Sequence, residues 1–192
     1  VVSQLRQAPR VWTIGTILLL EMIVLTFLSD DFLTVTNLTN VARQSALVGI
    51  AAVGMTFVIL LAGIDLSVGS VVGLSAMVSA LVMRNTGVEQ LGIPVAIATG
   101  ALCGVVTGLM VARLKIQPFI ATLVMLSVVK SITLILSDGA PVPLESPLIR
   151  TIGTGRALGV PYPAWLFLFV VVIAHWILAH TIFGRRLYAV GG

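Results

Sequence analysis

Gly63-Ile64-Asp65-Leu66-Ser67-Val68-Gly69-Ser70 interrupts what would otherwise be one long apolar stretch, with an apolar run at 46–62 before it and another at 66–83. It puts a carboxylate where the surrounding residues signal membrane depth. On insertion scales a charge at the centre of a membrane helix costs about 2.5–3.5 kcal/mol, so Asp65 needs a structural or functional reason to be there. Working outward, further apolar runs lie at 11–28, 93–112, 119–136 and 164–179. Each of the runs holds about 16–20 residues, which as a helix rising 1.5 Å per residue covers most of a bilayer core. Backbone groups in lipid must be satisfied internally, so the runs read as helices. The expected fold class is all-α: a polytopic integral membrane protein with about six transmembrane helices. The chain reads as a single transmembrane domain over 1–192.

Composition agrees. Hydrophobic residues make up 58% and charged residues 9%, whereas a soluble domain carries about 25% charge. Lipid explains the deficit, because it solvates apolar side chains directly. The net charge of +4 does not point to nucleic acid, since the basic residues lack clustering and aromatic interleaving. The single cysteine, Cys103, excludes an intrachain disulfide and sits among small residues, as a packing residue would. The run at 11–28 is longer than a signal-peptide core, and no A-x-A-like site follows it.

Lys and Arg set the orientation. With a cytoplasmic N-terminus and six crossings, the inside carries Arg6, Arg10, Arg113, Lys115, Arg185 and Arg186, and Asp65 is its only acidic residue. The outside carries Arg43, Arg84, Arg150 and Arg156, offset by Asp30, Asp31, Glu89, Asp138 and Glu145. A single crossing over 46–83 would move Arg113 and Lys115 to the side of Asp30 and Asp31. Two crossings joined at 63–65 are therefore expected. The Pro- and Gly-rich connection 137–163 should be external and irregular, with room for a short interfacial helix. Leu91-Gly-Ile-Pro94 and Leu158-Gly-Val-Pro161 form an internal echo that either a repeat or turn chemistry alone would produce.

Gly63 can end the second helix in the left-handed conformation, and Asp65 can cap the third by accepting its free N–H groups. Alternatively Gly63, Asp65, Ser67 and Gly69 form a polar break that organises a gate; the two accounts are compatible. Gly100, Gly104 and Gly108, with Ala96 and Ala112, give the fourth helix a small residue every four positions, a pattern that lets a neighbouring backbone approach closely. The same stripe would serve static packing or a sliding helix pair. Glu21 and Lys130 lie inside apolar runs and could face a cavity, a partner or, for Lys130, the interface by snorkelling. His175 and His180 are five apart, a poor spacing for a shared metal. The only lysines are Lys115 and Lys130, and no phosphate-binding loop of the G-x-x-x-x-G-K type occurs. No catalytic, metal or cofactor pattern stands out.

Asn37-Leu-Thr-Asn-Val-Ala-Arg43-Gln-Ser, Gly54-Met-Thr-Phe-Val, the Gly63–Ser70 block, Lys115-Ile-Gln-Pro-Phe-Ile-Ala-Thr-Leu123 and Phe183-Gly-Arg-Arg-Leu-Tyr-Ala-Val-Gly-Gly192 together resemble the membrane permease subunit of ribose-type ABC sugar importers. The resemblance covers most of the chain. It implies a pore of two permease subunits, alike or different, driven by cytoplasmic ATPases and supplied by a periplasmic sugar-binding protein in a bacterial inner membrane. It also implies that 183–192 opens a cytoplasmic coupling loop, with Gly184, Arg185, Arg186, Leu187 and Tyr188 meeting the ATPase and Leu187 and Tyr188 as apolar anchors. The chain then reads as the N-terminal portion of a longer permease. Other readings are an ion-coupled secondary transporter using Glu21, Lys130 or His175, a non-transporting scaffold, and an ABC permease for another small polar solute.

Overall fold

The computed structural model describes residues 8–143 and 146–192, with side chains from Trp12 onward. Arg6 and Glu145 of the charge count lie outside the described residues, as does the side chain of Arg10. The chain forms two compact units, Val1–Ser45 and Ala46–Gly192.

The first unit holds α1 (Ala8–Leu28) and the start of α2 (Val35–Leu60). Thr34 begins α2: its Oγ1 accepts from Asn37 N at 3.2 Å and donates to Asp31 O at 2.7 Å. The helix therefore starts well before the apolar run at 46. Hydropathy marks the part of a helix that lipid covers, whereas the cap marks where the helix begins.

In the second unit α2 ends in a Schellman turn. Gly63 N donates to Val58 O at 3.0 Å and Ala62 N to Ile59 O at 2.9 Å. The left-handed residue is Ala62, at φ 56°, not Gly63 as expected. Then follow α3 (Val68–Thr86), a 3₁₀ turn (Glu89–Leu91), α4 (Gly92–Ala112) and α5 (Pro118–Leu136). After these come α6 (Pro147–Thr154), β1 (Arg156–Ala157), β2 (Val160–Pro161), α7 (Tyr162–His180) and α8 (Ile182–Gly191). Pro118, Pro147 and Pro163 stand in first turns, where a missing N–H is no loss. Apart from the two-residue strands, the described secondary structure is helical.

The core is α3, α4 and α5, joined through Leu74, Cys103, Met125 and Val129, with Val71, Val78 and Met110 against them. Ser79 Oγ donates to Gly92 O at 2.8 Å, and Gly100 faces Ser75, so α3 and α4 run antiparallel. Thr122 Oγ1 donates to Ile64 O at 3.2 Å, which joins the starts of α3 and α5. Five helices (α2, the 3₁₀ turn with α4, α3, α5 and α7) are long and apolar enough to cross a membrane, and α1 adds the shorter apolar segment Trp12–Leu28. Large apolar side chains point outward along them, such as Ile97, Leu102 and Phe169. Such surfaces suit lipid, not water.

The small-residue stripe is only partly a contact within this chain. A Cβ on Gly100 would lie 3.5 Å from Ser75 Oγ, in ordinary contact, but one on Gly104 or Gly108 would meet nothing within 4 Å. On α4 the tightest approach is at Gly92, where a Cβ would overlap Met83 Sδ and lie 3.2 Å from Ser79 Oγ. Gly92→Leu is therefore expected to cost about 1–3 kcal/mol by overpacking, and Gly104→Leu much less. Thermal unfolding of both variants in detergent checks this; an equal loss at the two positions would contradict it.

The connection 137–163 contains α6 and a hairpin in which Arg156 pairs with Pro161 and Ala157 with Val160. Leu158 (φ 52°) and Gly159 (φ 79°) form its two-residue turn. Leu91 and Gly92 instead have helical φ of −73° and −55°. The echoed four residues therefore adopt two conformations, so the echo is not a shared local structure.

Candidate functional site: the break between α2 and α3 and the end it shares with α8

Asp65 Oδ1 accepts from Ser67 N at 2.7 Å and from Ser67 Oγ at 2.6 Å. Ser67 is the N-cap residue of α3 and makes no side-chain cap bond of its own. Asp65 therefore meets the helix end at the cap residue's own N–H, one step earlier than the expected cap of the following amides. Ser67 is 2% exposed, and its carbonyl receives Ser70 Oγ at 2.8 Å. Gly63 matters through space rather than φ: a Cβ there would lie 3.2 Å from Val58 Cγ1 and 3.7 Å from Pro118 Cβ. The break is thus clamped between the last turn of α2 and the first turn of α5.

Asp65 borders two cavities. One, of about 550 Å³, lies between α2 and α3 and includes Gly54, Met55, Val58 and Val72. The other, of about 190 Å³, lies between α3 and α4 and includes Ser67, Gly100, Gly104 and Thr107. Gly104 thus lines a space and does not fill a contact. Gly69 faces away from both, toward α5.

The chain returns to this end through α7 and α8. A Cβ on Gly49 of α2 would come within 2.6 Å of the Phe167 ring, and Phe57 and Phe183 pack with centroids 6.5 Å apart. Thr181 turns the corner: its Oγ1 accepts from Gly184 N at 3.1 Å and donates to Ile177 O at 2.6 Å. Only glycine fits at 184, because a Cβ would overlap the carbonyl oxygens of Ile177 and Leu178. Gly191 then lies against the backbone of Leu60. This packs α8 against the last turns of α2, beside the break. Arg185 and Arg186 are exposed, and Tyr188 is 51% exposed. Leu187 is only 5% exposed, so it packs inside this chain. That corrects the expectation that Leu187 anchors a partner. On an amphipathic helix adjacent positions point different ways, and here Tyr188 faces out while Leu187 faces in.

At the opposite end Glu89 does what the sequence did not suggest. Its Oε2 accepts from Ser146 Oγ at 2.7 Å and Leu148 N at 3.0 Å, while Ser146 Oγ caps α6 by accepting from Ile149 N at 3.2 Å. The short helix expected somewhere in 137–163 thus starts at Ser146-Pro147, with a distant carboxylate as its partner. His175 and His180 meet edge to face with centroids 6.3 Å apart, despite their spacing. No cluster of potential metal ligands occurs among the described residues.

Residues 37–192 match the family described as "Branched-chain amino acid transport system / permease component". The chain belongs to this permease family. The permease is 41% identical to the ribose import permease protein RbsC of Haemophilus influenzae over 179 residues, which is 91% of this chain and 55% of that protein. It is 39% identical to RbsC of Escherichia coli K12 over 199 residues, 100% of this chain and 62% of the relative. It is 36% identical to the L-arabinose ABC transporter permease protein AraH of Azospirillum brasilense over 162 residues, 84% of this chain and 48% of that one. The permease thus spans about half to three-fifths of these relatives' length. No solved structure matches it. It is a multi-pass membrane protein, as its apolar helices and its family both indicate.

Proposed function

We propose that this permease is a subunit of an ABC importer that moves a monosaccharide, a ribose- or arabinose-like sugar, across a bacterial inner membrane. The carrying observation is its similarity, near 40% identity, to ribose import permeases of several bacteria. The family description names branched-chain amino acids, but these relatives are named for sugars. In this reading a second permease subunit completes the pore, cytoplasmic ATPases power it, and a periplasmic sugar-binding protein delivers the substrate. The N-terminus and the basic end bearing Arg113, Lys115, Arg185 and Arg186 face the cytoplasm. Support comes from the fold, which brings the start of α5, the α2–α3 break and α8 to one end. Exposed Arg185, Arg186 and Tyr188 are the surface α8 offers an ATPase, with charge to steer the encounter and an aromatic to anchor it.

The test is uptake of radiolabelled ribose and arabinose into proteoliposomes holding the complete permease, its ATPase and its binding protein. The expected result is uptake that requires internal ATP and survives ionophores. Uptake that continues without the ATPase and collapses with the ion gradient would favour an ion-coupled transporter.

A further inference from the structure

A third cavity, about 370 Å³, opens between α3 and α5. Gly69, Ser70 and Gly73 line it from α3, and Lys130 and Thr133 from α5. Its volume lies in the range of small-molecule sites, about 300–1,000 Å³. A Cβ on Gly69 or Gly73 would meet nothing within 4 Å, so the glycines leave the α3 wall of this space open. Lys130 is exposed, although it lies well inside a helix long and apolar enough to span a membrane. No carboxylate is among the lining residues. A cation in such a position commonly faces a pathway or a partner.

The hydrogen-bond inventory narrows the ligand. Ser70 Oγ donates to Ser67 O at 2.8 Å, and Thr133 Oγ1 donates to Val129 O at 2.8 Å. Each hydroxyl proton is committed to the backbone, so each oxygen is left as an acceptor. The Lys130 ammonium supplies three donors and no acceptor. A carboxylate or phosphate would satisfy the lysine and leave both hydroxyl oxygens facing another acceptor. A vicinal polyol satisfies all three, accepting from the ammonium and donating to the hydroxyls. We propose that Lys130, Ser70 and Thr133 form a polyol-binding station on the α3–α5 face of the permeation path, where Lys130 contacts sugar hydroxyls directly. This rests on the importer reading above and adds a site to it.

The experiment measures uptake of D-ribose and 2-deoxy-D-ribose by the reconstituted complete transporter carrying Lys130→Met, Ser70→Ala or Thr133→Val. Recovery of the assembled complex is read in parallel. Lys130→Met should cut ribose uptake at least tenfold at normal assembly, and the two hydroxyl variants several-fold. In at least one variant the two sugars should lose uptake to different extents, because they differ by one hydroxyl. Unchanged ribose uptake in all three variants, with wild-type transport intact, would overturn the station and leave the importer reading standing. Loss of complex recovery in Lys130→Met, with the hydroxyl variants fully active, would also overturn it and mark the lysine as a subunit contact. Wild-type protein that transports neither ribose nor arabinose would overturn the importer reading and the station together.

Discussion

Asp65→Leu is expected to reduce sugar uptake by the complete permease to background, whereas Asp65→Asn should retain a substantial part. The asparagine keeps the Oδ1 that accepts from Ser67 N and Ser67 Oγ. Leucine leaves that N–H and that hydroxyl without a partner in a residue that is 2% exposed. Each buried polar group left unsatisfied costs about 1–3 kcal/mol. The cost falls on the turn that sets the angle between α2 and α3, so the break should loosen or rearrange. Uptake at matched membrane levels measures the effect. Equal, total loss in both variants would mean that the charge itself drives gating or coupling.

The second large effect separates two neighbouring residues of α8. Leu187→Ala removes a side chain that is 5% exposed and should destabilise the permease by about 2–5 kcal/mol. Tyr188→Ala removes a half-exposed side chain and should leave unfolding nearly unchanged. If α8 docks on an ATPase, Tyr188→Ala should weaken that association roughly tenfold or more, the range of an interface anchor. Thermal unfolding and co-purification with the ATPase read the two effects separately. Tyr188→Ala that co-purifies normally and supports sugar-stimulated ATP hydrolysis would remove Tyr188 from the interface.

The helices were legible in the sequence because lipid imposes a crude and strong rule: about twenty apolar residues, with backbone bonds closed internally. The break at 63–69 was legible for the same reason, since a carboxylate stands out against that background. Which helices touch was not. In lipid every apolar side chain is equally content facing out, so hydropathy does not distinguish the buried Val129 from the exposed Val128. Gly92 and Gly104 look alike in sequence, yet one is pressed by Met83 and the other borders a cavity. Ala62 holds the left-handed position because the Schellman hydrogen bonds fix the register one residue before the glycine. In the sequence Glu89 is only an outer charge, because its partner Ser146 lies far along the chain. Lys130 stands out in its apolar run, but the cavity that gives it a setting exists only once α3 and α5 are packed.

With α2 and α3 both crossing the membrane, the break, the α4–α5 turn and α8 would share the cytoplasmic side. Side-specific labelling with a membrane-impermeant maleimide tests it most directly, in a Cys103→Ala background with single cysteines at Leu158, Arg113 or Arg186. Leu158 is 92% exposed at the hairpin tip. The Leu158→Cys protein should be labelled in cells whose inner membrane is intact, and Arg113→Cys and Arg186→Cys only after that membrane is opened. Labelling of Leu158→Cys and Arg113→Cys from the same side would contradict it.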